Sequence, residues 1–329
     1  MSNKLSPNPL SKRSFLKAVL TASLAAVALS PASLFAQSAP KEIRIGYQKN
    51  GLLYLAKETG QLDEFFKAKG IAVKWVEFSF GPPLLEALNI GSIDYGYTGD
   101  APPIFAQAAG ANILYVAAQE AAGAGAAILV KDDSPIKTLA DLKGKKVGFA
   151  KASSAHNLTI AALEKAGLTY QQIEPVYLTP ADGAAAFARG AVDAWTIWDP
   201  FYAVAEAQAG TRVLAPAKGI VEQNSFLLAN GTFAKANPEL VAQINQAAAN
   251  TAQWAASHRS DVAGILSKAT GIAIDSQQKA VDRTEFVISP ISDAVISEQQ
   301  HNADRFLALG LIPKPVAIKD IVWAWKPST

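Results

Sequence analysis

The chain has 329 residues, 30 Lys and Arg against 28 Asp and Glu, 50% hydrophobic residues and no cysteine. The near balance of charge argues against a dedicated nucleic-acid binder, which carries a basic stripe, and the apolar fraction is too high for a disordered chain. Disulfides, thiolate metal sites, iron–sulfur clusters and cysteine nucleophiles are excluded outright, and the length suits two domains, since single cores stop growing near roughly 250–300 residues.

Residues 1–36 read as an export signal. They hold Lys4, Lys12, Arg13, Lys17 and no acid, then an apolar stretch over 18–29, a break at Ser30-Pro31, and small residues around Ala36 and Ser38. That layout predicts a secretory signal peptide cleaved near residues 36–39, and the stretch is shorter than the roughly 20 apolar residues of a membrane span. The run SKRSFLK (11–17) is similar to a twin-arginine signal with Lys12 in place of the first arginine, which leaves that route and the general secretory route both open. With no cysteine to lipidate, the mature protein is expected free in a periplasm. Loss of the segment leaves 26 basic against 28 acidic residues, so the formal charge moves from +2 to −2.

Strands are predicted over 43–47 and 73–78, with helices over 52–58, 62–68 and 84–89. Strand 128–130, helix 139–142, strand 146–149, helix 158–166, strand 173–177, helix 182–189 and strand 194–197 follow. A strand over 226–229 then leads into long polar-faced helices, one running from Pro238 to about residue 257. Alternation of this kind indicates an α/β architecture with mainly parallel sheets.

The chain also resembles itself. At a constant offset of 99, residues 86–100 align with 185–199, placing Gly91 on Gly190, Ile93 on Val192, Asp94 on Asp193 and Asp100 on Asp199. GYQK (46–49) likewise faces GFAK (148–151). The simpler reading is two lobes with one strand–helix order. We expect lobe 1 over 40–125 and 226–329, the latter with the C-terminal helices, and lobe 2 inserted over 126–225. Two chain crossings between them predict a hinge.

Ligands of open α/β sheets bind beyond the carboxyl ends of the strands. Helix-start chemistry gathers there: SFGP (79–82) and TGDAP (98–102) from one lobe, SSAHN (153–157) and TPAD (179–182) from the other. A helix N-terminus offers unpaired N–H groups and a positive dipole end, which suit an anion. Candidates are the Gln48 amide, the turn Gly81-Pro82, the Thr98 hydroxyl with the unobstructed Gly99 N–H, and Ser153, Ser154 and Asn157. His156 stands beside them, as a contact or as a surface histidine. Phe80 and Trp198 either wall the ligand's organic part or pack in a core. Asp100 and Asp199 read as N-caps, or as partners of a ligand amine, because a carboxylate repels a permanent anion. Trp323 and Trp325 read as packing.

The segments GYQK (46–49), 77–111, 133–147, SSAHNL (153–158), YLTPADGAAAF (177–187) and VDAWTIWDP (192–200) resemble the periplasmic aliphatic-sulfonate-binding proteins of ABC importers, over nearly the whole mature chain. The resemblance implies a two-lobed periplasmic binding protein fold of type II-like topology, each lobe a mixed, mainly parallel sheet flanked by helices. It also implies a sulfonate held in the interlobe cleft by a monomer that delivers it to a membrane permease. Related taurine-, nitrate- and thiamine-precursor-binding proteins share the fold with looser motifs and remain alternatives, as does a sensory partner.

The rival class is an enzyme. The chain has no G-x-S-x-G, H-E-x-x-H or G-x-x-x-x-G-K-[ST] motif. His156, His258 and His301 show no metal-ligand spacing, and Gly123-Ala124-Gly125 precedes a strand instead of following one. No catalytic residue, metal or cofactor is expected. The branch of the wider fold that makes a thiamine pyrimidine precursor depends on cysteine, which is missing here.

Overall fold

The computed structural model describes residues 1–2 and 40–327, so the expected export signal lies outside the described residues from residue 3 onward. The chain divides into a unit of Met1–Ser38 and one of Ala39–Thr329, and every helix and strand described belongs to the second. Among the described residues no helix is long and apolar enough to cross a membrane.

β1 (Glu42–Tyr47) leads into α1 (Leu52–Thr59) and α2 (Gln61–Lys67), parted by Gly60, whose φ of 67° serves as the left-handed end of one helix and the start of the next. Then come β2 (Ala72–Glu77), α3 (Gly81–Asn89), β3 (Tyr95–Gly99), α4 (Ala101–Ala108) and β4 (Ile113–Gln119). The chain crosses over 120–125 into β5 (Ala126–Lys131), β6 (Lys146–Phe149), α5 (Ser154–Lys165), β7 (Glu174–Tyr177), α6 (Pro180–Ala188), β8 (Ala194–Trp198), α7 (Phe201–Ala207) and β9 (Thr211–Pro216). It returns over 217–224 into β10 (Ser225–Asn230), α8 (Gly231–Ala236), α9 (Pro238–Ser257), α10 (Arg259–Thr270), α11 (Ile274–Asp282) and α12 (Asp293–Ala308). The expected helix over 139–142 is a single 3-10 turn, opened by a capping box between Thr138 and Asp141 and ended where Lys143 takes ψ 125° and Gly144 φ 72°. α5 begins four residues earlier than its apolar pattern, because its first turn, Ser-Ala-His-Asn, carries no periodic signal.

The strands form two five-stranded sheets, ordered β2-β1-β3-β10-β4 and β7-β6-β8-β5-β9. In each, one strand runs against its neighbours: β10 in the first sheet and β5 in the second. Those are the strands the chain enters on crossing from the other sheet. Helices cover both faces, so the central strands read as unbroken apolar runs. In β5, Ala126, Ile128 and Val130 enter one core while Ala127 and Leu129 enter the opposite one. Each fully buried leucine or isoleucine there is worth roughly 1.5–3 kcal/mol. Trp325 is buried in the first sheet's core, with Trp323 packed against it.

The internal likeness has a physical basis. Asp94 accepts the Arg44 backbone N–H at 2.8 Å, and Asp193 accepts that of Lys146 at the same distance. Gly91 and Gly190 end the preceding helices at φ 70° and 71°. Each Asp thus ties the start of one strand, β3 or β8, to its parallel neighbour, β1 or β6, and only Asp94 adds a side-chain ion pair, to Arg44 at 2.6 Å.

Candidate ligand-binding cleft

The carboxyl ends of β1, β3, β6 and β8 surround a cavity of about 210 Å³. Gln48, Asn50, Gly51, Leu52, Gly81, Tyr97 and Gly99 contribute from the first sheet's side, and Ser153, Ser154, Trp198, Asp199 and Pro200 from the second. The two crossings add Gly123, Gly125 and Gln223, and the C-terminal stretch adds Leu266, Gln277, Arg283, Glu285 and Phe286.

Three helices begin at this wall with no side chain capping them. α1 starts at Gly51, α3 at Phe80 and α5 at Ser153, and none of these residues closes a side-chain bond onto its helix. α4 and α6 differ: Asp100 and Thr179 accept the N–H groups of Ala101 and Asp182. Uncapped first turns leave backbone donors for something else to satisfy. Pro82 and Pro83 remove donors from the start of α3, so α1 and α5 carry most of this capacity.

The polar side chains are oriented by one another. Gln48 Nε2 donates to the Tyr97 carbonyl at 3.1 Å, and the Tyr97 hydroxyl donates to Gln119 at 2.6 Å. Ser153 Oγ donates to the Ala150 carbonyl at 2.7 Å. Gly99 lies against Ser154 so closely that a Cβ there would collide with Ser154 Oγ. Asp199 Oδ1 accepts from Ala203 N at 3.0 Å and faces Arg283 at 3.4 Å, whereas Oδ2 is buried without a partner. Burial pushes the Asp199 carboxyl up to about 6 against the pull of Arg283. Arg283 also pairs with Glu206 at 2.5 Å and lies 4.0 Å over the Tyr202 ring. Among the described lining residues it is the one cation, and it is already neutralised.

Gln48, Gly81, Gly99, Ser153, Ser154, Trp198 and Asp199 therefore come together from their separate segments. Phe80, Pro82, Thr98, Asp100, His156 and Asn157 do not line the cavity. Thr98 is fully buried, its hydroxyl spent on the Gly99 carbonyl at 2.9 Å; its strand neighbours Tyr97 and Gly99 face the cavity, so it points the other way. Phe80 and Pro82 flank Gly81, half-buried, without reaching the space. Asp100 caps α4 and crosses to the second lobe, where Asn157 Nδ2 donates to it at 2.5 Å and the Ser154 hydroxyl also bonds to it. Burial still raises its pKa. Asn157 in turn accepts from Arg305 at 3.0 Å. His156 is enclosed by aromatic rings behind α5.

Asn50, Tyr97, Gln119, Gln223 and Arg283 line the cavity unforeseen. Asn50 had a signal, adjoining Gln48 in the first helix-start loop; Arg283 had none, arriving from a polar helical stretch that shares no repeat with either lobe. Among the described residues no group of His, Asp and Glu is placed to hold a metal ion.

Comparison with known proteins places this geometry in a lineage. The family model described as NMT1/THI5 like matches residues 50–261. A relative from Escherichia coli (strain K12), described as an aliphatic sulfonates-binding protein, is 42% identical over 299 residues, 90% of this chain and 93% of its own. The alkanesulfonate-binding protein SsuA from Xanthomonas axonopodis pv. citri, in a structure bound to MOPS, matches at a TM-score of 0.83 and 40% identity, over 87% of this chain and 99% of that one. A desulfurization enzyme, DSZB, matches at 0.61 and 17% identity, covering 86% and 96% of the two chains, a likeness of fold alone. The chain belongs to the NMT1/THI5-like family, among its aliphatic-sulfonate-binding proteins.

Proposed function

We propose that the protein is the periplasmic solute-binding component of an ABC importer, capturing aliphatic sulfonates in the interlobe cleft and releasing them unchanged to a membrane permease. The observation that carries this reading is the convergence of uncapped helix starts from both lobes on one cavity whose single lining cation is already paired. Such a site holds an anion by backbone donors and dipoles, not by net charge. Each helix start contributes about 0.3–1 kcal/mol exposed and up to roughly 2 partly buried. Charge-assisted hydrogen bonds add roughly 1.5–3 kcal/mol apiece. A few of them reach the roughly −8 kcal/mol of micromolar affinity.

Gln48, Asn50, Gly51, Gly99, Ser153 and Ser154 form the head-group end in this proposal. Leu52, Trp198, Leu266 and Phe286 receive the organic part, with Asp199 and Arg283 beside them. Export with cleavage near residues 36–39 completes it, and lobe 2 is the inserted segment 126–225.

Calorimetry with alkanesulfonates of increasing length, taurine, sulfate and nitrate tests the assignment. Saturable binding of at least one alkanesulfonate, recovered chemically intact, is expected. Binding of nitrate or sulfate with none of the sulfonates would refute it, and turnover of a bound sulfonate would move the protein to the enzyme class.

A further inference from the structure

Ala152 has a φ of 57°, the one left-handed non-glycine residue among those described. An L-residue with a Cβ adopts that region only where its surroundings hold it there. Ala152 immediately precedes Ser153 and Ser154, which the second lobe contributes to the cavity wall beside Trp198, Asp199 and Pro200. Its backbone N–H donates to Nδ1 of His156 at 3.3 Å.

His156 is built to be that acceptor. It is completely buried, and its ring is stacked with Phe149 at 5.0 Å and 19° and with Phe105 at 6.1 Å and 23°. Burial drives its pKa down to about 3, so the ring is neutral. Because Nδ1 accepts from Ala152, the proton sits on Nε2, which donates to the Tyr170 hydroxyl at 3.1 Å. The Tyr170 and Tyr177 hydroxyls share a hydrogen bond at 2.9 Å. Stacking fixes the plane of the ring, and the Ala152 N–H fixes its tautomer.

We infer that His156 is a positioning residue for ligand binding: its Nδ1 holds Ala152 in the left-handed turn that sets Ser153 and Ser154 at the cavity wall. This rests on the proposed function for its ligand but not for its mechanics. His156 touches no ligand; it acts through the backbone of the residue four positions earlier.

Variants of the purified protein separate this role from simple space-filling. His156→Phe keeps an aromatic ring and removes the acceptor. His156→Gln retains a polar group toward Tyr170 but not toward Ala152. His156→Asn places its carbonyl where Nδ1 lies. With butanesulfonate as the probe, His156→Phe and His156→Gln are expected to weaken binding about tenfold and His156→Asn by less than about threefold. Adding Ala152→Gly to His156→Phe supplies a residue at ease in the left-handed region and is expected to restore binding to within about threefold of wild type. Hydrogen exchange at the Ala152 amide, read without ligand, is expected to be about tenfold faster in His156→Phe and His156→Gln than in wild type. Unchanged exchange in both variants, or no rescue by Ala152→Gly in a folded His156→Phe protein, would overturn the inference. Wild-type protein that binds no sulfonate but shows the exchange difference would overturn the proposed function and leave the inference standing.

Discussion

The two lobes begin their ligand-facing helices on the same backbone plan and furnish it differently. In the first, the Gly51 N–H donates to the Gln48 carbonyl at 3.0 Å; in the second, the Ser153 N–H donates to the Ala150 carbonyl at 3.4 Å. The two N-cap residues have nearly identical torsions, φ −106° and ψ 166° against φ −104° and ψ 173°. The first loop is dressed with amides, Gln48 bonding to Tyr97 and Asn50 reaching the Asp199 carbonyl at 3.2 Å across the cleft. The second has alanines at both matching positions and relies on hydroxyls, backbone and a histidine behind them. A shared scaffold thus leaves the chemistry at each helix start free to diverge.

The repeated pair Asp100 and Asp199 diverges further, and substituting it gives the largest expected effect. Asp100 has every oxygen bonded, while Asp199 keeps Oδ2 orphaned beside Arg283, Glu206 and the Ala203 N–H. With the folded pKa of Asp199 raised to about 6 from 3.8, the native state holds this proton more tightly than the unfolded chain. The group's stabilising contribution is therefore full below pH 4 and lost as pH rises through about 6. Urea unfolding at pH 3 and pH 7 should show wild type losing about 3 kcal/mol more than Asp199→Asn across that window. Equal losses in the two proteins would mean that Asp199 is as well satisfied as Asp100.

Gly99→Leu comes next. Its side chain would collide with Ser154 and hold the lobes apart there, so sulfonate affinity should fall about 100-fold while the separate cores survive. Circular dichroism and calorimetry on the same sample check both halves of that statement. The smallest effects compare the two loops directly. Ser154→Ala strips a hydroxyl from buried Asp100 and should weaken binding about tenfold. Gln48→Ala removes only a half-exposed bond to a carbonyl, so about threefold is expected. The reverse ranking, read by calorimetry, would make the first lobe the stronger anchor.

Local periodicity made most of the fold legible. Apolar runs marked β1, β5 and β6, and the Gly–Asp signature repeated because each Asp must satisfy the same strand N–H in its own sheet. Helix-start residues at strand ends located Gly99, Ser153 and Ser154 for the same local reason. Side-chain direction was harder to read. Thr98 and Gly99 are adjacent in sequence yet on opposite faces of β3, and Asn157 is three residues from Ser154 on a helix whose first residue alone reaches the cavity. Arg283 enters through long-range packing of the C-terminal stretch, which leaves no trace in local spacing, and Gln119, at the end of β4, is oriented by that stretch through the Glu285 carbonyl.

The crossing pattern has a consequence for how the chain completes itself. All five strands of the second sheet lie within residues 126–216, whereas the first sheet starts at Glu42 and waits for β10 at 225–230 to join β3 to β4. A chain read from its amino end can therefore finish its middle lobe while its first lobe is still an open fragment of strands. The last-made helices then seal that fragment: α12 bonds to Asp100 through Gln299 and to Asn157 through Arg305. The lobe that begins first is finished last, and the final α-helix to emerge joins both lobes.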